Sequence, residues 1–97
     1  MIKRRAYRVN LIINGSVIKK VIIDPHYEEK HSESINDELI LELVKTLHGV
    51  MREHRDQKHP YLYFTSDKIE HLGKFYKLIW LLEEGEHYLG VINAYRR

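Results

Sequence analysis

Two short stretches of the chain hold side chains able to move protons and to hold anions. The first is Asp24-Pro25-His26-Tyr27-Glu28-Glu29-Lys30-His31, and the second is the last, Val91-Ile92-Asn93-Ala94-Tyr95-Arg96-Arg97. Histidine titrates near neutrality, so it can take a proton from one oxygen and return one to another. Arginine's planar fork matches a phosphate or similar oxyanion. On this chemistry His31 is the candidate general base, His26 an acid or substrate-orienting group, and Lys30 with Arg96 the phosphate contacts. Tyr95 can stack on a nucleobase or donate to a phosphate oxygen. Each residue also has a plainer reading. A histidine ahead of a helix is more often a cap or a surface group, terminal arginines are mostly solvated, and a tyrosine on a closing strand usually packs with its hydroxyl at the rim.

The seven histidines also raise metal binding. His26 and His31, like His54 and His59, are separated by four intervening residues, which is not the i, i+4 relation of a helical His-Glu-x-x-His site. With no cysteine to assist, neither a metal nor another cofactor is expected. His48, His71 and His87 read as surface or strand-end residues. The carboxylates Asp24, Glu28, Glu29 and Glu33 read as a solvated face. Were the first stretch helical, His26 and Lys30 would share a face and His31 would lie beside it.

The elements that must position these groups are legible in outline. Asn14-Gly15 sits between two β-rich runs and predicts a tight hairpin, since both residues tolerate positive φ. A two-residue loop pairs Leu11 with Ile18, Val9 with Lys20 and Tyr7 with Ile22, and gives a buried face of Tyr7, Val9, Leu11, Ile18 and Ile22. Asp24-Pro25 ends the second strand. Ser34 or Asn36 offers an N-cap, and Leu39, Ile40, Leu43, Val44, Leu47 and Met51 follow at helical spacing, predicting one helix in the run Asn36 to Glu53 that ends between His48 and His54, since Gly49 weakens its last turns. Arg52 to His59 reads as a charged connector. Three strands follow: Tyr61 to about Ile69, Phe75 to Leu82 and His87 to Tyr95, the last two flanking Glu84-Gly85. A two-residue loop there pairs Trp80 with Leu89, Leu78 with Val91 and Lys74 with Tyr95. The expected fold is α+β, β-β-α-β-β-β, with one main helix packed on one face of a mostly antiparallel sheet. The aromatics at strand spacing are read as packing first and as a base-stacking platform second.

The 97 residues fit a single domain spanning positions 1–97. Nothing resembles a leader or an apolar membrane span, so a soluble intracellular, cytoplasmic protein is expected, or one exported without a recognisable leader. The net charge of +2 hides a segregation: residues 1–23 carry six Lys or Arg and no acid, while residues 24–42 carry seven acids against Lys30. Such patches suit a phosphate backbone or a protein partner equally.

The order of signals resembles that of small toxin-like proteins in the barnase–EndoU–colicin–RelE group of ribonuclease folds. The likeness rests on His26-Tyr27-Glu28-Glu29-Lys30-His31, Ile35-Asn36-Asp37-Glu38-Leu39-Ile40, Phe75-Tyr76-Lys77-Leu78-Ile79-Trp80 and the closing Val91 to Arg97, and covers most of residues 22–97. It implies a metal-independent endoribonuclease of toxin–antitoxin type, with RNA as substrate and an antitoxin protein as partner. Two alternatives stand beside it: a non-catalytic interaction module of a phage or mobile element, and a nucleic-acid-binding domain that does not cleave.

Overall fold

In the computed structural model, which describes residues 3–97, six strands form one mixed sheet. They are β1 (Arg5–Ile13), β2 (Ser16–Ile23), β3 (Asp56–Lys58), β4 (Tyr61–His71), β5 (Lys74–Glu83) and β6 (Tyr88–Arg96), in the spatial order β1-β2-β6-β5-β4-β3. Between β2 and β3 lie a 3-10 turn (Pro25–Tyr27), a single turn α1 (Glu28–His31) and α2 (Asp37–Lys45). Among the described residues no helix is long and apolar enough to cross a membrane.

This architecture corrects the expected one. A single main helix over a mostly antiparallel β-β-α-β-β-β sheet is replaced by a strand-dominated mixed sheet with two short helices. Three causes account for the difference. First, α2 stops at Lys45 because the next amides tighten onto i−3 carbonyls: Thr46 N–H donates to Leu43 O (3.1 Å) and Leu47 N–H to Val44 O (2.9 Å). Gly49, at φ 76°, then turns its N–H onto Ile12 O of β1 at 2.7 Å. Met51, expected at the end of the apolar stripe, is 73% exposed. Second, the charged connector supplies β3, whose Asp56, Gln57 and Lys58 pair with Tyr63, Leu62 and Tyr61. Third, the hairpin joins the meander through a parallel seam, Lys20 to Ile23 of β2 against Tyr88 to Val91 of β6.

The registers shift as well. Leu11 pairs with Ile18 as expected, but an irregularity between Arg8 and Leu11 sets Tyr7 against Val21. Val21 and Ile23 therefore enter the core, and Ile22 lies half-buried on the opposite face. At the far end the loop is longer than two residues, so Leu82 meets Leu89, Trp80 meets Val91 and, past a bulge, Lys77 meets Tyr95. One core results, in which Ile40, Leu43, Val44 and Leu47 are buried together with Val21, Leu78, Trp80 and Leu89. Trp80 stacks on Phe64 (centroids 4.1 Å apart) and donates to Ser66 Oγ at 3.0 Å. Along β5 the burial alternates: Tyr76, Leu78, Trp80 and Leu82 are buried, while Lys77, Ile79, Leu81 and Glu83 remain half-exposed on the face away from α2.

Candidate functional site

β2 pairs with only the first part of β6, so beyond Val91 that strand has no neighbour on this side. The chain fills the gap with the segment that follows β2. Asp24 N–H donates to Val91 O at 3.0 Å, and Asp24 Oδ1 caps the turn by accepting from His26 N–H at 2.9 Å. The turn and α1 then run alongside the end of β6, which sets the His31 ring on the Tyr95 ring, centroids 5.2 Å apart and planes 28° from parallel.

Around that pair the sheet adds charges. Lys77, cross-strand from Tyr95, holds its Nζ 5.6 Å from the centre of the Tyr95 ring. The same Nζ lies 3.6 Å from Asp67 Oδ1, to which Arg97 Nη1 donates at 2.6 Å. Asp67 reaches them because β4 carries a bulge between Ser66 and Ile69, where two residues oppose Lys77 alone. The result is an imidazole, a phenol, two cations and one carboxylate at the open end of β6.

Of the residues singled out from sequence, His31 and Tyr95 thus come into contact. His26 stands apart on the surface, its Nδ1 3.3 Å from Glu29 Oε2 and its side chain 60% exposed. Lys30 is exposed on α1. Arg96 opposes Tyr76, whose ring is in the core, so it leaves the strand on the side opposite Tyr95. Lys77 and Asp67 have no site role in the sequence reading, and Arg97 enters it only as a member of the closing stretch. Lys77 carried a signal, being the one charge in the run Phe75 to Leu82. Asp67 carried none, since nothing marks the bulge.

A second polar cluster holds the first in position. Asp37, at the start of α2, receives Arg5 Nε at 2.5 Å and Arg5 Nη2 at 2.9 Å, the Tyr27 hydroxyl at 2.7 Å, and the Tyr7 hydroxyl. The Arg5 hydrogen bonds, opposed by burial and helped by both tyrosines, lower the Asp37 carboxyl to about 2. The carboxylate in turn raises Arg5 and Tyr7; in Tyr27 burial is the larger cause of the rise, with Asp37 second. The Asp37 carboxylate thus binds β1, the turn before α1 and the start of α2 together, and Arg5 Nη2 also lies 3.4 Å from Glu28 Oε2. Among the described residues no group of three or more His, Cys, Asp or Glu side chains could hold a metal.

No family model matches the chain, and comparison with characterised proteins and with solved structures gives no significant match to either.

Proposed function

We propose that the chain is a metal-independent endoribonuclease whose centre is His31 with Tyr95, Lys77 and Arg97. The observation that carries this reading is the His31–Tyr95 stack beside the two cations. Stacking occupies the face of the imidazole and leaves its two nitrogens in plane at the rim, where proton transfer takes place. In the reaction His31 takes the proton of a ribose 2′-hydroxyl, the resulting oxygen attacks the adjacent phosphorus, and the P–O5′ bond breaks to leave a 2′,3′-cyclic phosphate. The departing 5′-oxygen takes its proton from solvent, since His26, the acid named from sequence, stands apart on the surface beside Glu29. Lys77, Arg97 and the exposed Lys30 offset the charge that builds on the phosphoryl oxygens. Tyr95 orients the imidazole and offers its hydroxyl to phosphate.

The order of motifs, which resembles that of the barnase–EndoU–colicin–RelE group, supports the same reading, and with it a toxin working on cytoplasmic RNA under the control of an antitoxin protein. Induced wild type is expected to arrest growth and to cut RNA with cyclic phosphate ends, insensitively to chelators. His31→Ala is expected to lose at least about 100-fold in cleavage rate, the low end for a general base, with unchanged circular dichroism. Wild type that is expressed freely and leaves RNA intact overturns the proposal.

A further inference from the structure

A second surface lies away from His31. A trough of about 1010 Å³ lies over β1 and β2, bordered by Arg8, Asn10, Lys19, Lys20, Glu86 and Tyr88. It adjoins a hollow of about 400 Å³ over β6, β5 and β4, and the two share Ile22 and Tyr88. Gly90 lies in the floor of the hollow. A Cβ there would stand 3.1 Å from Leu81 Cδ1 and 3.7 Å from Tyr88 Cε2, filling the floor between them. Tyr61 and Tyr63 wall it, their rings 6.3 Å apart and tilted by 48°, and Arg4 paired with Asp24 closes one rim.

This is a half-apolar, aromatic-walled recess continuous with a cationic trough, on the sheet face that no helix covers. The trough carries Arg8, Lys19 and Lys20 against Glu86 alone, a balance that favours a polyanion. Flat aromatic faces beside cations are what unpaired bases and their backbone recognise. The same face leads along β6 to the candidate centre: Gly90 and Tyr95 are five residues apart on one strand, about 16 Å at about 3.3 Å per residue. A duplex cannot offer its base faces to such a recess, whereas a single strand can lay one base there and its backbone along β6.

We propose that this face is a platform for single-stranded RNA and that the Gly90 hollow is a base subsite at a distance of several nucleotides from the bond placed at His31. The proposal rests on the RNA reading above and adds to it a requirement for unpaired substrate of a minimum length, about four nucleotides or more.

The test measures binding of fluorescein-labelled oligoribonucleotides, three to ten nucleotides long, to the full chain carrying His31→Ala, by anisotropy. Affinity is expected to rise with length until the strand spans the hollow and then to level off. A duplex of the same sequence should bind at least about tenfold more weakly. Tyr63→Ala and Gly90→Leu should each weaken the long oligonucleotides by about tenfold, the loss expected for one stacked base, and leave the shortest unchanged, while Tyr63→Phe keeps the ring and the affinity. Equal binding of duplex and single strand overturns the proposal, and so do long oligonucleotides indifferent to Tyr63→Ala. Should Gly90→Leu not fold, the Tyr63 pair decides alone. Cleavage by wild type separates the two readings. Ring-dependent binding without cleavage retires the catalytic proposal and keeps the platform, whereas cleavage with no dependence on Tyr63 or length does the reverse.

Discussion

At Asp37 a single carboxylate accepts from one guanidinium and two phenols that come from two different parts of the chain, β1 and the turn before α1. Charged hydrogen bonds of this kind contribute about 1.5–3 kcal/mol when shielded. The Arg5 side chain is 37% exposed, so solvent screening reduces the total. Asp37→Asn is expected to cost about 1–2 kcal/mol in urea denaturation. The pH dependence has a definite sign. The folded carboxyl lies at about 2 against an ordinary 3.8, so the unfolded chain binds the proton more readily and its protonation favours unfolding. The contribution is complete above about pH 4 and lost as pH falls toward 2. Wild type and Asp37→Asn should therefore converge in stability across that window, and parallel curves would show that the knot contributes nothing through its charge. None of this was legible in the sequence, where Asp37 reads only as an acid in a first helical turn. The pairing depends on Arg5 and Tyr7 lying on the inner face of β1, thirty-two and thirty residues away.

The elements themselves were legible where a local rule dictates them. Asn14 and Gly15 do take positive φ, 52° and 77°, and Asn36 does cap α2 by accepting from Leu39 N–H at 2.8 Å. What escaped the sequence is where long-range bonds override a local pattern. The apolar stripe through Met51 continues past the end of α2, but the hairpin tip captures the chain first. Asn14 Nδ2 donates to Arg52 O and Asn14 Oδ1 accepts from Arg52 N–H, both at 2.8 Å, while His48 Nδ1 accepts from Ile12 N–H at 2.9 Å. Asn14→Gly keeps the turn and removes both side-chain bonds, so the Arg52 amide should exchange with deuterium about tenfold faster, the loss of roughly 1.4 kcal/mol locally. Unchanged exchange there would mean that the tip and the post-helix segment are held by something else. The bulges behave in the same way. Nothing in β4 announces that Asp67 and Lys68 oppose a single residue, yet that irregularity turns Asp67 toward Lys77 and Arg97. Ser66, beside it, is the only buried polar side chain among the described residues and accepts the Trp80 indole. Ser66→Ala strands that N–H and is expected to cost about 1–3 kcal/mol, read from the thermal midpoint; a neutral result would mean that the indole finds a second acceptor.

For the molecule as a whole, the parallel seam between β2 and β6 decides how the parts behave together. Sequence order gave a hairpin, a helix and a meander, and did not say whether the hairpin joined the sheet, because parallel pairing across so long a connection leaves no local mark. With the seam in place, Ile13, Ile18, Val21 and Ile23 of the hairpin share one core with Leu78, Trp80, Leu89 and Val91 of the meander. Neither part can then lose its packing alone, and unfolding should be a single cooperative transition. Leu89 is fully buried and pairs with Val21 on one side and Leu82 on the other, so it lies at the join. Leu89→Ala is expected to cost about 2–5 kcal/mol. The loss should appear equally in the fluorescence of Trp80, the chain's one tryptophan, which reports the meander, and in hydrogen exchange of the Val21 and Ile23 amides, which reports the hairpin. If the hairpin amides opened at low denaturant while Trp80 stayed native, the seam would be a weak contact, and the gap beside β6 that α1 fills to bring His31 onto Tyr95 would not be fixed by the fold.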